Sequence, residues 1–205
     1  VTINAIKGNS FHEFGEVAVL SIAQGRVVAE KGNNIGVIQV PSAATTPVIA
    51  VPENVVLDTK IERANATTAF KLDVLNSNGT AIEEKSKEVN SDTIPAAPSG
   101  ELKKVLGTGG IANDIKNYVA RIGNNFYESI SDAIAAAKSG ETVVMLKDFV
   151  NADLANSVHF SLKNGVTLDG QGHAIRGNAD LYMASDADAV STVKNVVFQY
   201  IHNGS

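Results

Sequence analysis

Few residues in this chain are equipped for chemistry. There are 4 His and no Cys among 205 residues, which removes thiolate nucleophiles, thiolate metal sites and disulfides together. His173, in Gly170-Gln171-Gly172-His173, is the histidine best placed to act as acid, base or binding group near neutral pH. The simpler reading of the same residues is a turn beside a Gly-Gln-Gly corner. His159 alternates with Val158 and Phe160 and should face solvent from a strand, while His12 and His202 lack metal-ligand spacing. Asp186 and Asp188, with Ser185 and Asp180 nearby, offer hard oxygen ligands for Ca2+. No Gly-rich acidic repeat accompanies them, so a solvated loop is the plainer account and no cofactor is expected. Tyr182, Tyr200 and Phe198 are the aromatic residues against which a ligand could stack. No Gly-x-Ser-x-Gly elbow exists for a serine nucleophile. Gly107-Thr108-Gly109-Gly110 lacks the Lys-Ser/Thr of a phosphate loop and reads as a hinge.

The elements that must position these residues are thin and aliphatic. Hydrophobic residues make up 44% of the chain but aromatics only 5%, with no Trp. The net charge is −5, so there is no basic field for nucleic acid or anionic lipid. No apolar run approaches the ~18 residues of a membrane span, so membrane insertion is not expected. Three textures follow one another: a β-rich region over 1–82, a charged and Pro/Gly-rich linker over 83–114, and a more ordered region over 115–205. In the last, Phe126, Ile130, Ala133, Ile134 and Ala137 share one helical face, predicting an amphipathic helix near 126–139. Asn124 or Asn125 would cap its start and Gly140 would end it. Strand-like runs then open near 143, 166 and 196, with Lys163-Asn164 echoed by Lys194-Asn195. Repeats of this length with short strands and polar turns mark a β-solenoid. Asn164 and Asn195 would then stack as a ladder one coil apart. Apolar runs near Val1, Val17, Ile35, Val55 and Phe70 give the first region a similar rhythm, and an immunoglobulin-like sandwich is its competing reading.

The stretch from Tyr127 to Gly177 resembles the opening of right-handed parallel β-helix proteins of the pectate-lyase-like superfamily. It is similar in Phe126/Tyr127, Ile130, Ala133-Ile134 and Ala137, then in Gly140-Glu141-Thr142-Val143, and again in Val166-Thr167-Leu168-Asp169-Gly170-Gln171-Gly172-His173-Ala174-Ile175. The resemblance implies an all-β fold, a right-handed parallel β-helix whose first coils are lidded by the short helix. It also implies a bacterial protein that is secreted or held at the cell surface. The lyase and hydrolase sites of that superfamily need carboxylate clusters on adjacent coils, and residues 115–205 do not reproduce them. The expected role is therefore a non-catalytic structural or adhesive module whose partner is a carbohydrate or a host or cell-surface protein. The alternative is a fragment of a polysaccharide lyase or glycoside hydrolase acting on acidic polysaccharide. Both ends of the chain read as cut across coils, which points to a slice of a longer repeat protein or to self-association through open solenoid ends.

Overall fold

The computed structural model describes residues 1–3, 10–90, 100–153, 155–186 and 188–199, without the side chains of residues 101, 185 and 186. The chain is all-β, 46% strand, with parallel sheets wound into a β-solenoid of about eight turns. It divides into two compact units, Val1–Ile115 and Lys116–Ser205.

Each coil of the first unit contributes one strand to each of two sheets. One sheet carries Thr2–Ile3, Glu16–Ile22, Asn34–Val40, Lys60–Arg63 and Ile111–Ala112, all parallel. The other carries Phe11–Glu13, Arg26–Ala29, Val48–Pro52 and Phe70–Leu75 in parallel, closed by Lys87–Val89 in antiparallel. Side chains alternate between faces with a period of two, so identical positions stack from coil to coil. Leu20, Ile38 and Ile61 form one buried row, and Val27, Ile49 and Leu72 another. These rows are parallel stacked coils, which sets the sandwich reading aside. Val17 and Ile35 stand on neighbouring coils, as the sequence rhythm predicts, and pair in register. Val55 lies outside the strands, and Phe70 opens a strand of the other sheet. That spacing mixed two sheets and a turn.

The stretch expected as a linker carries structure of its own. Val89 is 1% exposed in the closing antiparallel strand. The helix Gly100–Leu106 buries Val105 and Leu106 in the core of the first unit, and Ile111–Ala112 extends its sheet. The Pro95–Ser99 portion lies outside the described residues. The glycine run is a close contact rather than a hinge: a Cβ on Gly109 would lie 2.2 Å from the Thr59 carbonyl oxygen. Thr108 donates to Asp58 Oδ1 from both its N–H (2.7 Å) and its hydroxyl (2.5 Å), which holds the Asp58 carboxyl below its ordinary range.

The second unit winds around three sheets. Thr142–Met145, Thr167–Asp169 and Thr192–Lys194 are parallel, with Thr142, Thr167 and Thr192 in one row at steps of 25 residues. Phe149–Asn151, Ala174–Gly177 and Val197–Gln199 form the next sheet, and Val158–Leu162 with Ala179–Met183 the third. The row stacked in register is therefore Val143, Leu168 and the partly buried Val193, not Val143, Val166 and Val196. Val197–Gln199 belongs to the second sheet. Asn164 and Asn195 flank opposite ends of the first sheet's strands and do not stack; Asn195 instead donates to Asp169 Oδ1 at 3.1 Å.

The helix under these coils spans Ile130–Ala136, shorter than the expected 126–139. Phe126 has the right spacing for the helical face but lies in the strand Asn125–Tyr127, folded antiparallel onto Ala120–Ile122 through a turn at Gly123. Its ring packs 5.2 Å from that of Tyr118. Ser129, rather than Asn124 or Asn125, caps the helix by accepting from the Asp132 N–H at 3.3 Å. The helix ends at Ala137, whose backbone turns extended, and Gly140 serves the next turn at φ +85°. Ile130, Ala133, Ile134 and Ala137 are buried with Met145, Phe160 and Leu162. An apolar face of this kind closes a cross-section that strands alone would leave open to water.

Candidate functional site

Two polar clusters sit on the outside of the second unit, and each spans successive coils. At the corner before Ala174–Gly177, Gln171 and Gly172 take positive φ of 52° and 87°, a tight turn that brings His173 back over the preceding coil. Its Nδ1 lies 3.2 Å from Asp148 Oδ1, which also accepts the Ala174 N–H at 3.0 Å. Arg176 Nη2 stands 3.0 Å from Asp148 Oδ2. The Ala174 N–H, then His173, then Arg176 hold the Asp148 carboxyl below its ordinary range. The His173 ring is partly exposed, and what it does here is tie one coil to the next.

A second clamp repeats this one rung along. Asp169 is 5% exposed and accepts from the Gln171 N–H (3.0 Å) and Asn195 Nδ2 (3.1 Å), with Lys194 Nζ at 3.3 Å. Burial pushes its carboxyl up, and these donors together outweigh burial and hold it down.

The third sheet presents a different surface. Parallel pairing places His159 opposite Asp180 and Ser161 opposite Tyr182, with Phe160 and Leu162 turned inward. All four outward residues are exposed. Asp180 Oδ2 receives the Ser157 hydroxyl at 2.6 Å and faces His159 Nδ1 at 3.1 Å. The His159 and Tyr182 rings lie 5.6 Å apart, and Tyr182 is 55% exposed. Ser157 and His159 address the same carboxylate oxygen rather than each other, so this is not a serine–base relay, which needs the hydroxyl bonded to the base.

Tyr182 is thus joined to His159 and Asp180, whereas His173 belongs to the separate corner clamp. Tyr200, His202 and the side chain of Asp186 lie outside the described residues. Asp188 is exposed on the hairpin formed by Ser185–Asp186 and Ala189–Val190. Among the described residues, no group of three or more His, Asp or Glu side chains converges as metal ligands. Phe198 is 55% exposed, in the row of Phe149 and Ile175. Sequence reasoning did not join Ser157 and Asp180 to His159. The signal was there in the alternation of Ser157, His159 and Ser161 on one side and Asp180 and Tyr182 on the other, but joining the two strands needs their 21-residue register. No protein-family profile, curated protein or solved structure matches this chain.

Proposed function

We propose that this chain is a non-catalytic structural or adhesive module of the pectate-lyase-like β-helix kind, from a bacterial protein that is secreted or displayed at the cell surface. Its partner is a carbohydrate or a cell-surface protein, and further copies join through the ends of the coils. The observation that supports this reading is the third-sheet surface, where parallel register sets an exposed Tyr182 beside His159 and Asp180 on a flat face. Stacked coils hold such a face with little freedom to lose on binding, which favours adhesion through extended contact. The test is incubation with polygalacturonate, alginate and host glycans, read as unsaturated ends and as reducing sugar, alongside capture of the same polymers on immobilised protein. Capture of at least one of these polymers, without turnover above a heat-denatured control, is expected. Turnover would replace the module with a lyase or hydrolase, and loss of all capture would remove the adhesive role.

A further inference from the structure

We propose that the outer face of Val158–Leu162 and Ala179–Met183 is a binding subsite for neutral hexopyranosides, with Tyr182 as the stacking platform and Asp180 as the hydroxyl acceptor. This rests on the adhesive reading above and narrows it to one ligand class and one place.

The geometry supplies both halves of a sugar's chemistry. A pyranose has a face of C–H groups and a rim of hydroxyls. The C–H face carries slight positive charge and is drawn to the negative face of an aromatic ring. The Tyr182 ring, 55% exposed, stands on the outer side of a strand with Ser161 opposite it on the neighbouring coil. Two residues back along the same strand, about 7 Å away at ~3.3 Å per residue, Asp180 points from the same face. Its Oδ2 is engaged by Ser157 and His159, which fixes the carboxylate plane. Among the described residues its Oδ1 has no partner, so it is left to accept a ligand hydroxyl. The Ser161 hydroxyl and the outer nitrogen of His159 complete the polar rim. A small apolar platform with a few positioned polar groups is how such ligands are oriented.

Charge decides between neutral and acidic sugars. A uronate would bring a carboxylate against Asp180 on a chain of net charge −5, and like charges at this range disfavour each other. The subsite therefore takes uncharged rings.

The test is titration of the 15N-labelled chain with maltotriose, cellotriose and chitotriose, and with trigalacturonate as the acidic comparison. At least one neutral trisaccharide is expected to shift the amides of His159, Asp180 and Tyr182, with a dissociation constant in the millimolar range. Tyr182→Ala and Asp180→Asn should each weaken binding about tenfold or more, whereas Tyr182→Phe, which keeps the ring, should stay within about threefold. Side chains this exposed can be replaced without unfolding the sheet, and an unchanged spectrum elsewhere verifies it. No shift at these residues with any neutral sugar, or binding that survives Tyr182→Ala, overturns the subsite. Trigalacturonate binding as tightly overturns the choice of neutral ligands. Capture of polymers that persists with this face silent would leave the adhesive module standing and sink only the subsite.

Discussion

The replacement of Leu168 by alanine is the most informative perturbation of the second unit. Leu168 is fully buried between Val143 on one coil and Val193 on the next. Removing three carbons forfeits about 2.4 kcal/mol of transfer free energy at ~0.8 kcal/mol per group. Neighbours fixed by backbone hydrogen bonds on both sides cannot collapse into the gap, so a cavity term is added, for a total of about 3–4 kcal/mol. Val143→Ala, at a site equally buried, loses two carbons and about 2–3 kcal/mol. Because the two side chains touch, the double variant should depart from additivity by about 0.5–1 kcal/mol. Val143 with Val196, which are not paired, should add to within ~0.5 kcal/mol. Urea unfolding followed by tyrosine fluorescence measures this cleanly. The chain has no Trp, and Tyr118, Tyr127, Tyr182 and Tyr200 all belong to the unit Lys116–Ser205. A Leu168→Ala effect below ~1 kcal/mol, or stronger coupling of Val143 to Val196 than to Leu168, would refute the stacking.

Three further outcomes are expected. Gly177→Ala should cost about 3 kcal/mol or more, because φ is +92° and the new Cβ would lie 2.1 Å from the Asn151 carbonyl oxygen. Gly172→Ala has a similar φ of +87° with nothing within 4 Å, so it should cost only about 1–2 kcal/mol; equal melting shifts would refute the close approach. The Asp169 carboxyl is held down in the folded state despite its burial. Its contribution is therefore present above the unfolded carboxylate value and fades as pH falls below about 4. Asp169→Asn should flatten the acid limb of the stability–pH curve, only in part because Asp148 and Asp153 are held down as well; an unchanged limb would contradict this. Arg63 is 1% exposed, opposite Val40, and donates to Asn113 Oδ1 at 2.7 Å and the Thr68 carbonyl at 3.1 Å. Arg63→Ala, which leaves both a cavity and an unmet carbonyl, should lose about 3–5 kcal/mol by far-ultraviolet dichroism. Arg63→Met keeps the stem in a row otherwise apolar and should recover at least half of that loss.

The coils were legible in the sequence because short β-branched runs broken by Gly and Asn leave little else for an aliphatic, aromatic-poor chain to build. The helix was legible from Ile130, Ala133, Ile134 and Ala137, which are buried as their spacing required. Its start was not, since Phe126 fits the helical period yet gains more from pairing in a hairpin beside Tyr118. Register was the main loss. Apolar content is alike on all three sheets, and the loops between strands differ in length within coils of equal 25-residue step, so counting from run to run aligned Val143 with the wrong valines. The site followed register into obscurity: His159 and Asp180 meet only when Val158 is set opposite Ala179. Between Val89 and Ile111, proline and glycine suggested slack chain, while Val105 and Leu106 had buried places to fill.

The second unit stacks parallel coils with Thr142, Thr167 and Thr192 in one row. A chain without Cys lets two be introduced with no competing thiol. Directly opposed neighbours in adjacent strands sit about 4.8 Å apart, within the range a disulfide spans. Oxidation of the Thr167→Cys/Thr192→Cys variant should close the bond quickly and leave the fold intact, while Thr167→Cys/Val196→Cys should stay reduced or misfold on closure. The reverse pattern, with the 167–196 pair closing and the 167–192 pair remaining open, would contradict the stacked register.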